Sequence, residues 1–372
     1  MPQEQSVRHI WIGCIELHMT YQMLKEILYR FRIDSEPVSC DSIGEGHIHQ
    51  TYRIETADGE KYTLQKINDY VFRNLEGLMQ NVVSVCEFLT GKADDSRFAL
   101  RFIRARDDSC FISYGETFWR MYRYIDRVVC PKEPYDSNDL YEIAYGFGKF
   151  QYWLSGFPVD SLCETIPNFH NTSERIRFFS TVLKEDRCNR AAFVKKEIRF
   201  VLDRQNEMET LQSMRNNDVL PVRVTHNDTK LNNVLLDEKT RKVVSVIDLD
   251  TVMPGLGCYD FGDCIRTGAV SVKEDDKELS NVYLDLDKYR SILNGFTDAC
   301  TDMNMLERSI LPMGAKTITF ETGLRFLTDF LMGDVYFPVD YEEHNLVRCR
   351  NQFALVSDME KKWDQMRSIS SK

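Results

Sequence analysis

Apolar residues recur at helical spacing over residues 23–31, and then the pattern changes. Tyr52, Ile54 and Thr56 alternate with Arg53 and Glu55, while Tyr62, Leu64 and Lys66 alternate with Thr63 and Gln65. The two runs flank Asp58-Gly59, a pair that tolerates the positive φ of a tight turn, so the segment predicts a β-hairpin. Leu75, Leu78, Met79, Val82, Cys86 and Leu89 trace one face of a helix. The aromatic-rich run over 118–125 reads as a strand, and residues 131–135 break the chain after it. Past Asp139, helical spacing dominates at 140–154, 173–182 and 191–211, and again from Leu279 onward. One β island interrupts it, with strands at 222–225, 234–236 and 243–249. The layout predicts an α+β fold of two lobes: a small β-rich N-lobe over 23–125, and a larger, mainly helical C-lobe over 126–372 with a short β insert. Residues 1–22 read as a poorly ordered N-terminal extension, their apolar patch being interrupted by Glu16 and His18.

Composition narrows the class. The net charge of −11 speaks against nucleic acid or an anionic membrane as partner. Eleven cysteines are scattered without a Cys-x-x-Cys pair, and seven histidines without a His-x-x-x-His pair. That pattern predicts reduced thiols in a cytoplasmic protein and no zinc site built by protein side chains. No apolar run reaches membrane-spanning length. The expected state is a monomer or a weak homo-oligomer.

Chemistry concentrates in the β island. Between its strands lies His226-Asn227-Asp228-Thr229-Lys230-Leu231-Asn232-Asn233, which fits His-x-Asp-x-x-x-x-Asn, the catalytic-loop pattern of protein kinases and their relatives. Phosphoryl transfer asks a protein for alignment and charge neutralisation. Asp228 suits a base that orients a hydroxyl and takes its proton. Lys230 suits stabilisation of a γ-phosphate as charge develops. Asn233 and Asp248 suit a Mg²⁺ held on phosphates, with Asp250 as second candidate and Asp260 in support. Upstream, Gly44 and Gly46 let backbone approach phosphate, and Lys66 is a candidate phosphate contact. Its carboxylate partner is expected at Glu76 or Glu87, and Met121, Tyr122 and Tyr124 form a candidate adenine-binding hinge.

The segments Val224–Asn233 and Val246–Gly255, with Asp260-Phe261-Gly262-Asp263, Gly323-Leu324-Arg325-Phe326-Leu327 and Glu343-His344-Asn345-Leu346-Val347-Arg348, resemble the aminoglycoside phosphotransferase superfamily. Within it they are most similar to the N-acetylhexosamine 1-kinases. The resemblance implies a protein-kinase-like fold, ATP as co-substrate, Mg²⁺, and phosphorylation of the anomeric hydroxyl of GlcNAc or GalNAc. It implies sugar recognition by His47, Asp228, Arg325 and Tyr336. Two positions depart from the family pattern: His49 where it has Asn, and Thr267 where it has an aromatic residue. They bear on which acyl group or hexose is accepted. Two alternatives stay open: a kinase of the same fold acting on another hexose, choline, homoserine, hydroxylysine or an aminoglycoside, and a nucleotide-sensing pseudokinase.

Overall fold

The computed structural model describes residues 20–43, 49–131 and 133–371. The chain divides into two compact units, Met1–Arg127 and Val128–Lys372.

In the first unit, helix α1 (Tyr21–Tyr29) starts two residues before Met23, because the Thr20 hydroxyl caps it by accepting from the Met23 N–H. Strands β1 (Pro37–Ser42), β2 (Gln50–Thr56) and β3 (Lys61–Ile67) follow, and the turn between the last two carries Gly59 at φ 82° as the Asp-Gly signal requires. Helix α2 (Leu75–Thr90) is capped by Asn74. Strands β4 (Ile112–Tyr114) and β5 (Thr117–Arg123) complete an antiparallel sheet in the order β1-β2-β3-β5-β4. Alternation divides the sheet. Tyr52, Ile54, Tyr62, Leu64, Trp119 and Met121 share one face and pack with Leu24, Ile27 and Leu28 of α1. The opposite face carries Thr63, Gln65 and Arg120, and Arg120 Nη1 lies 3.9 Å from Met79 Sδ of α2.

The second unit opens with the short strand β6 (Val128–Val129) and helices α3 (Ser137–Trp153), α4 (Thr172–Glu185), α5 (Lys195–Met208) and α6 (Thr210–Asn216). The helix expected over 191–211 is thus broken: residues 191–193 form a 3₁₀ turn, and a second break precedes Thr210. The β island comprises β7 (Arg223–Thr225), β8 (Val234–Asp237), β9 (Val243–Val246) and β10 (Met253–Gly255). It splits into two small sheets, β6-β8-β9 and β10-β7. The third expected strand stops at Val246 rather than Leu249, since Asp248 turns left-handed at φ 60° and residues 249–251 coil into a 3₁₀ turn. Helices α7 (Gly257–Gly268), α8 (Leu286–Ala299), α9 (Met305–Ser309), α10 (Leu311–Met332), α11 (His344–Lys361) and α12 (Trp363–Ser370) follow. Two glycines set the closest helix approach, Gly148 of α3 against the Phe296 carbonyl and Gly295 of α8 against the Tyr141 backbone; neither leaves room for a Cβ. Helix α10 is buried on nearly every side, its charged residues Lys316, Glu321 and Asp329 included. No helix among the described residues is long and apolar enough to cross a membrane.

Candidate active site

The loop between β7 and β8 carries Asp228, and its shape follows from its hydrogen bonds. Asp260, on the first turn of α7, accepts from the His226 N–H at 2.9 Å, the Asn227 N–H at 2.8 Å and Gln151 Nε2 at 2.8 Å. Asn227 sits at φ 65°, its side-chain amide donating to the Thr251 carbonyl at 2.8 Å. The Thr251 hydroxyl donates to the His226 carbonyl at 2.7 Å, and the Thr229 hydroxyl to the Asp260 carbonyl at 2.5 Å. His226 is buried; its Nε2 donates to the Ile247 carbonyl at 2.9 Å, which leaves Nδ1 to accept from the Asp228 N–H at 3.3 Å. The supporting part expected of Asp260 is therefore a concrete one: it holds two consecutive amides of the loop.

This scaffold brings four of the expected residues together. Lys230 Nζ lies 2.8 Å from Asp228 Oδ1, and the Asn233 side-chain amide donates to the Asp228 carbonyl at 2.8 Å and to Oδ2 at 3.2 Å. The register Val234↔Val246 and the bond from the Ile247 N–H to the Asn233 carbonyl, 2.9 Å, set Asp248 beside Asn233. Asp248 is exposed and Asp250 buried, so of the two candidates it is the Asp248 residue that solvent reaches. Burial alone would raise the Asp228 carboxyl, but Lys230, with His226 and Arg266, outweighs it and holds Asp228 below the usual aspartate range. The same pairing raises Lys230. Among the described residues no three His, Cys, Asp or Glu side chains converge as a metal cage. A Mg²⁺ on nucleotide phosphates asks for fewer protein donors, and one exposed carboxylate with a neighbouring amide oxygen fits that need.

Charge around the pair comes partly from residues the sequence reading passed over. Arg266 is buried and bonds Asp263 at 2.7 Å and Glu274 at 2.5 Å. Burial works against its charge, yet those carboxylates keep it firmly protonated, and its field reaches Asp228. A cavity of about 1070 Å³ is lined by Lys230, Arg266, Thr267, Leu140 and Tyr135. The Thr267 hydroxyl is turned back to the Asp263 carbonyl at 2.9 Å.

Arg325 and Tyr336 also meet. The Arg325 guanidinium lies 5.9 Å from the Tyr336 ring centre, 5.3 Å from Phe169 and 5.4 Å from Phe337. Asp329, one turn along α10, accepts from the N–H groups of Val335, Tyr336 and Phe337 at 2.8–3.0 Å and so shapes the loop that bears Tyr336. A second buried carboxylate on α10 links this corner to the loop that carries Asp228. Glu321 accepts from His170 Nδ1 at 2.8 Å and from the Thr172 hydroxyl at 2.6 Å, while His170 Nε2 bonds the Asn227 carbonyl at 3.1 Å. Burial pushes Glu321 up, but His170 and Arg175 outweigh it and hold the carboxyl below its ordinary range. Burial, with Arg325 nearby, lowers Arg175. His170 stands alone in its stretch of sequence, with no motif around it.

The expected nucleotide contacts fall in the first unit. Gly44, Gly46 and His47 lie outside the described residues. Lys66 lies on the sheet face of Trp119 and Leu64, opposite to that of Gln65 and Arg120. Glu76 and Glu87 are exposed on α2, and Glu87 pairs with Arg104 at 2.5 Å. Met121 is sealed in the core, Tyr122 packs on Phe102 at 5.4 Å, and the Tyr124 N–H donates to the Lys61 carbonyl beyond the end of β5. His49 is buried: its Nδ1 accepts from the Asn68 N–H at 3.1 Å and its ring stacks on Phe72 at 5.6 Å.

Comparison with solved structures gives the same architecture. Spectinomycin phosphotransferase in complex with ADP and spectinomycin superposes with a TM-score of 0.59 at 14% identity, covering 94% of this chain and 99% of that one. A microcompartment-associated aminopropanol kinase gives 0.56 at 13% identity, covering 94% and 99%. Amicoumacin kinase, solved with AMP-PNP and Ca²⁺, gives 0.57 at 11% identity, covering 91% and 95%. These likenesses establish the expected protein-kinase-like fold, a small antiparallel-sheet lobe and a larger helical lobe. The APH model, described as a phosphotransferase enzyme family, matches residues 39–292. That match spans more than half of the chain and contains the loop around Asp228, and so the protein belongs to the APH family of phosphotransferase enzymes.

Proposed function

We propose that this small-molecule kinase transfers the γ-phosphoryl group of ATP to the anomeric hydroxyl of an N-acetylhexosamine, GlcNAc or GalNAc. The observation that carries the reading is the Asp228 carboxylate, kept ionised by Lys230 and pinned by Asn233 on a loop held from behind by Asp260. An ionised carboxylate at that point orients the attacking hydroxyl and accepts its proton as the new P–O bond forms. Lys230 then stands where negative charge builds on the transferred group. Asn233 and Asp248 would hold the Mg²⁺, which when bound neutralises phosphate charge. The neighbours solved with ADP and with AMP-PNP and Ca²⁺ support the use of an adenine nucleotide and a divalent ion.

A sugar acceptor is supported by the corner of Arg325, Tyr336, Phe169 and Phe337. Guanidinium donors bind ring hydroxyls and an N-acetyl carbonyl, and aromatic faces pack on a pyranose. Two guanidiniums there, those of Arg175 and Arg325, disfavour the ammonium head of choline or an amino alcohol. Phosphorus NMR of reactions with GlcNAc, GalNAc, galactose, glucose, choline and ethanolamine reports both the acceptor and the hydroxyl used. A sugar 1-phosphate from GlcNAc or GalNAc is expected. Product from choline or ethanolamine and from no sugar would sink the sugar assignment while leaving the kinase intact. Mg-ATP binding without turnover of any acceptor would favour a nucleotide sensor.

A further inference from the structure

In kinases of this fold, the cation that meets the nucleotide phosphates sits on the third strand and pairs with a carboxylate of the helix packed on the sheet. That pairing is possible only from the sheet face the helix covers. Here α2 lies on the face of Arg120, whose Nη1 reaches Met79. The β3 residues on that face are Thr63 and Gln65; Lys66 is on the other. The buried positions of α2 include Leu78, Met79, Asn81, Val82 and Cys86, and none of its buried residues is a carboxylate. Gln65 therefore occupies the lysine's place, and the two acids of α2, Glu76 and Glu87, are exposed.

A cation is present one strand over. Arg120 lies directly opposite Gln65 in the β3–β5 register, its Nε donates to Gln65 Oε1 at 2.9 Å, and it is only 3% exposed. Gln65 in turn donates from Nε2 to the Thr51 hydroxyl of β2 at 3.1 Å, so Thr51, Gln65 and Arg120 form one row across three strands. The row fixes the orientation of the guanidinium through Gln65. A guanidinium offers two parallel N–H donors to phosphate oxygens, where an ammonium offers a point charge.

Resting on the adenine-nucleotide reading above, we propose that Arg120 of β5, aimed by Gln65, is the cation that binds the nucleotide phosphates, in place of a lysine on β3. Lys66 then contributes little to phosphate recognition.

The test is calorimetric titration with Mg-ADP and with adenosine. Wild type, Arg120→Met, Gln65→Ala and Lys66→Met are compared, with the melting temperature of each variant recorded. Arg120→Met is expected to weaken Mg-ADP at least ~10-fold and adenosine less than ~3-fold, the phosphates being what the guanidinium meets. Gln65→Ala should weaken Mg-ADP by roughly 3–10-fold with an intact fold, because it removes one of the bonds that orient the guanidinium. Lys66→Met should change Mg-ADP affinity less than ~3-fold. Should Arg120→Met fail to fold, Arg120→Lys and Gln65→Ala decide: both weaken Mg-ADP selectively over adenosine if the assignment holds. A tenfold loss in Lys66→Met with unchanged affinity in the Arg120 and Gln65 variants overturns it. Wild-type protein that binds no adenine nucleotide overturns the kinase reading and this assignment together, whereas tight wild-type binding that survives the Arg120 changes overturns the assignment alone.

Discussion

Replacing Asp260 by asparagine probes whether the catalytic loop is held electrostatically from behind. The carboxylate accepts from two consecutive backbone amides and from Gln151 at 2.8–2.9 Å, all three buried. Asparagine has the same shape but one acceptor, and its NH₂ must face one of the amides. Hydrogen bonds to a charged group contribute about 1.5–3 kcal/mol each, and a buried donor left without an acceptor adds about 1–3 kcal/mol. The change should therefore cost roughly 3–5 kcal/mol. At about 2–4 °C per kcal/mol for a unit of this size, the melting temperature should fall by roughly 6–20 °C. Turnover should fall as well, since an ångström of drift in Asp228 costs on the order of a hundredfold. Differential scanning calorimetry gives the first quantity, and steady-state kinetics at a temperature where the variant is folded gives the second. Burial pushes the Asp260 carboxyl upward, against the pull of His226, Gln151 and the two amides. A melting temperature within 2 °C of wild type would mean that the carboxyl is already neutral in the fold, and the electrostatic argument would fail.

Asp228→Asn should abolish turnover, by three orders of magnitude or more as judged from proton transfer and orientation together, while Mg-ADP affinity stays within a few-fold of wild type; calorimetry showing both lost would deny it the part of base. Asp248→Ala should remove the Mg²⁺-dependent part of ADP binding, and an unchanged dependence on Mg²⁺ would move the ligand to Asp250. Glu321→Gln should destabilise the protein by about 3–5 kcal/mol at pH 7, the scale for breaking a buried ion pair. Because the folded carboxyl is held below its ordinary value of 4.5, its contribution is complete above that pH and disappears as pH falls through the folded value. Urea unfolding of both proteins between pH 7 and pH 3 should thus show the gap closing below about pH 4.5, and a gap that widens on acidification would contradict the pairing.

What could be read from the sequence was whatever chemistry is contiguous. Asp228, Lys230 and Asn233 sit within six residues, so one loop holds them, and Asp248 follows a strand whose hairpin partner begins beside Asn233. The hairpin around Gly59 was equally legible, since alternation and turn chemistry are local. Alternation also puts Lys66 with Leu64, but which face α2 would cover is a tertiary fact no local pattern encodes. Arg120 was hidden for the same reason, one of two arginines in an aromatic strand. His170 and Glu321 are 151 residues apart, and their pairing depends on how α4 and α10 pack. The β10 strand escaped notice because it is three residues long and contains Pro254, tolerated there at a sheet edge.

The left-handed backbone at Asp248 sets a tension between endurance and work. For a side chain with a Cβ that conformation costs roughly 1 kcal/mol, a cost glycine escapes. Asp248→Gly should therefore melt no earlier than the parent protein, as a thermal scan would show, while the magnesium binding proposed for Asp248 should be lost. On the proposed assignment, selection for heat resistance alone would drift toward that variant, and selection for turnover would keep the acidic residue at this left-handed position.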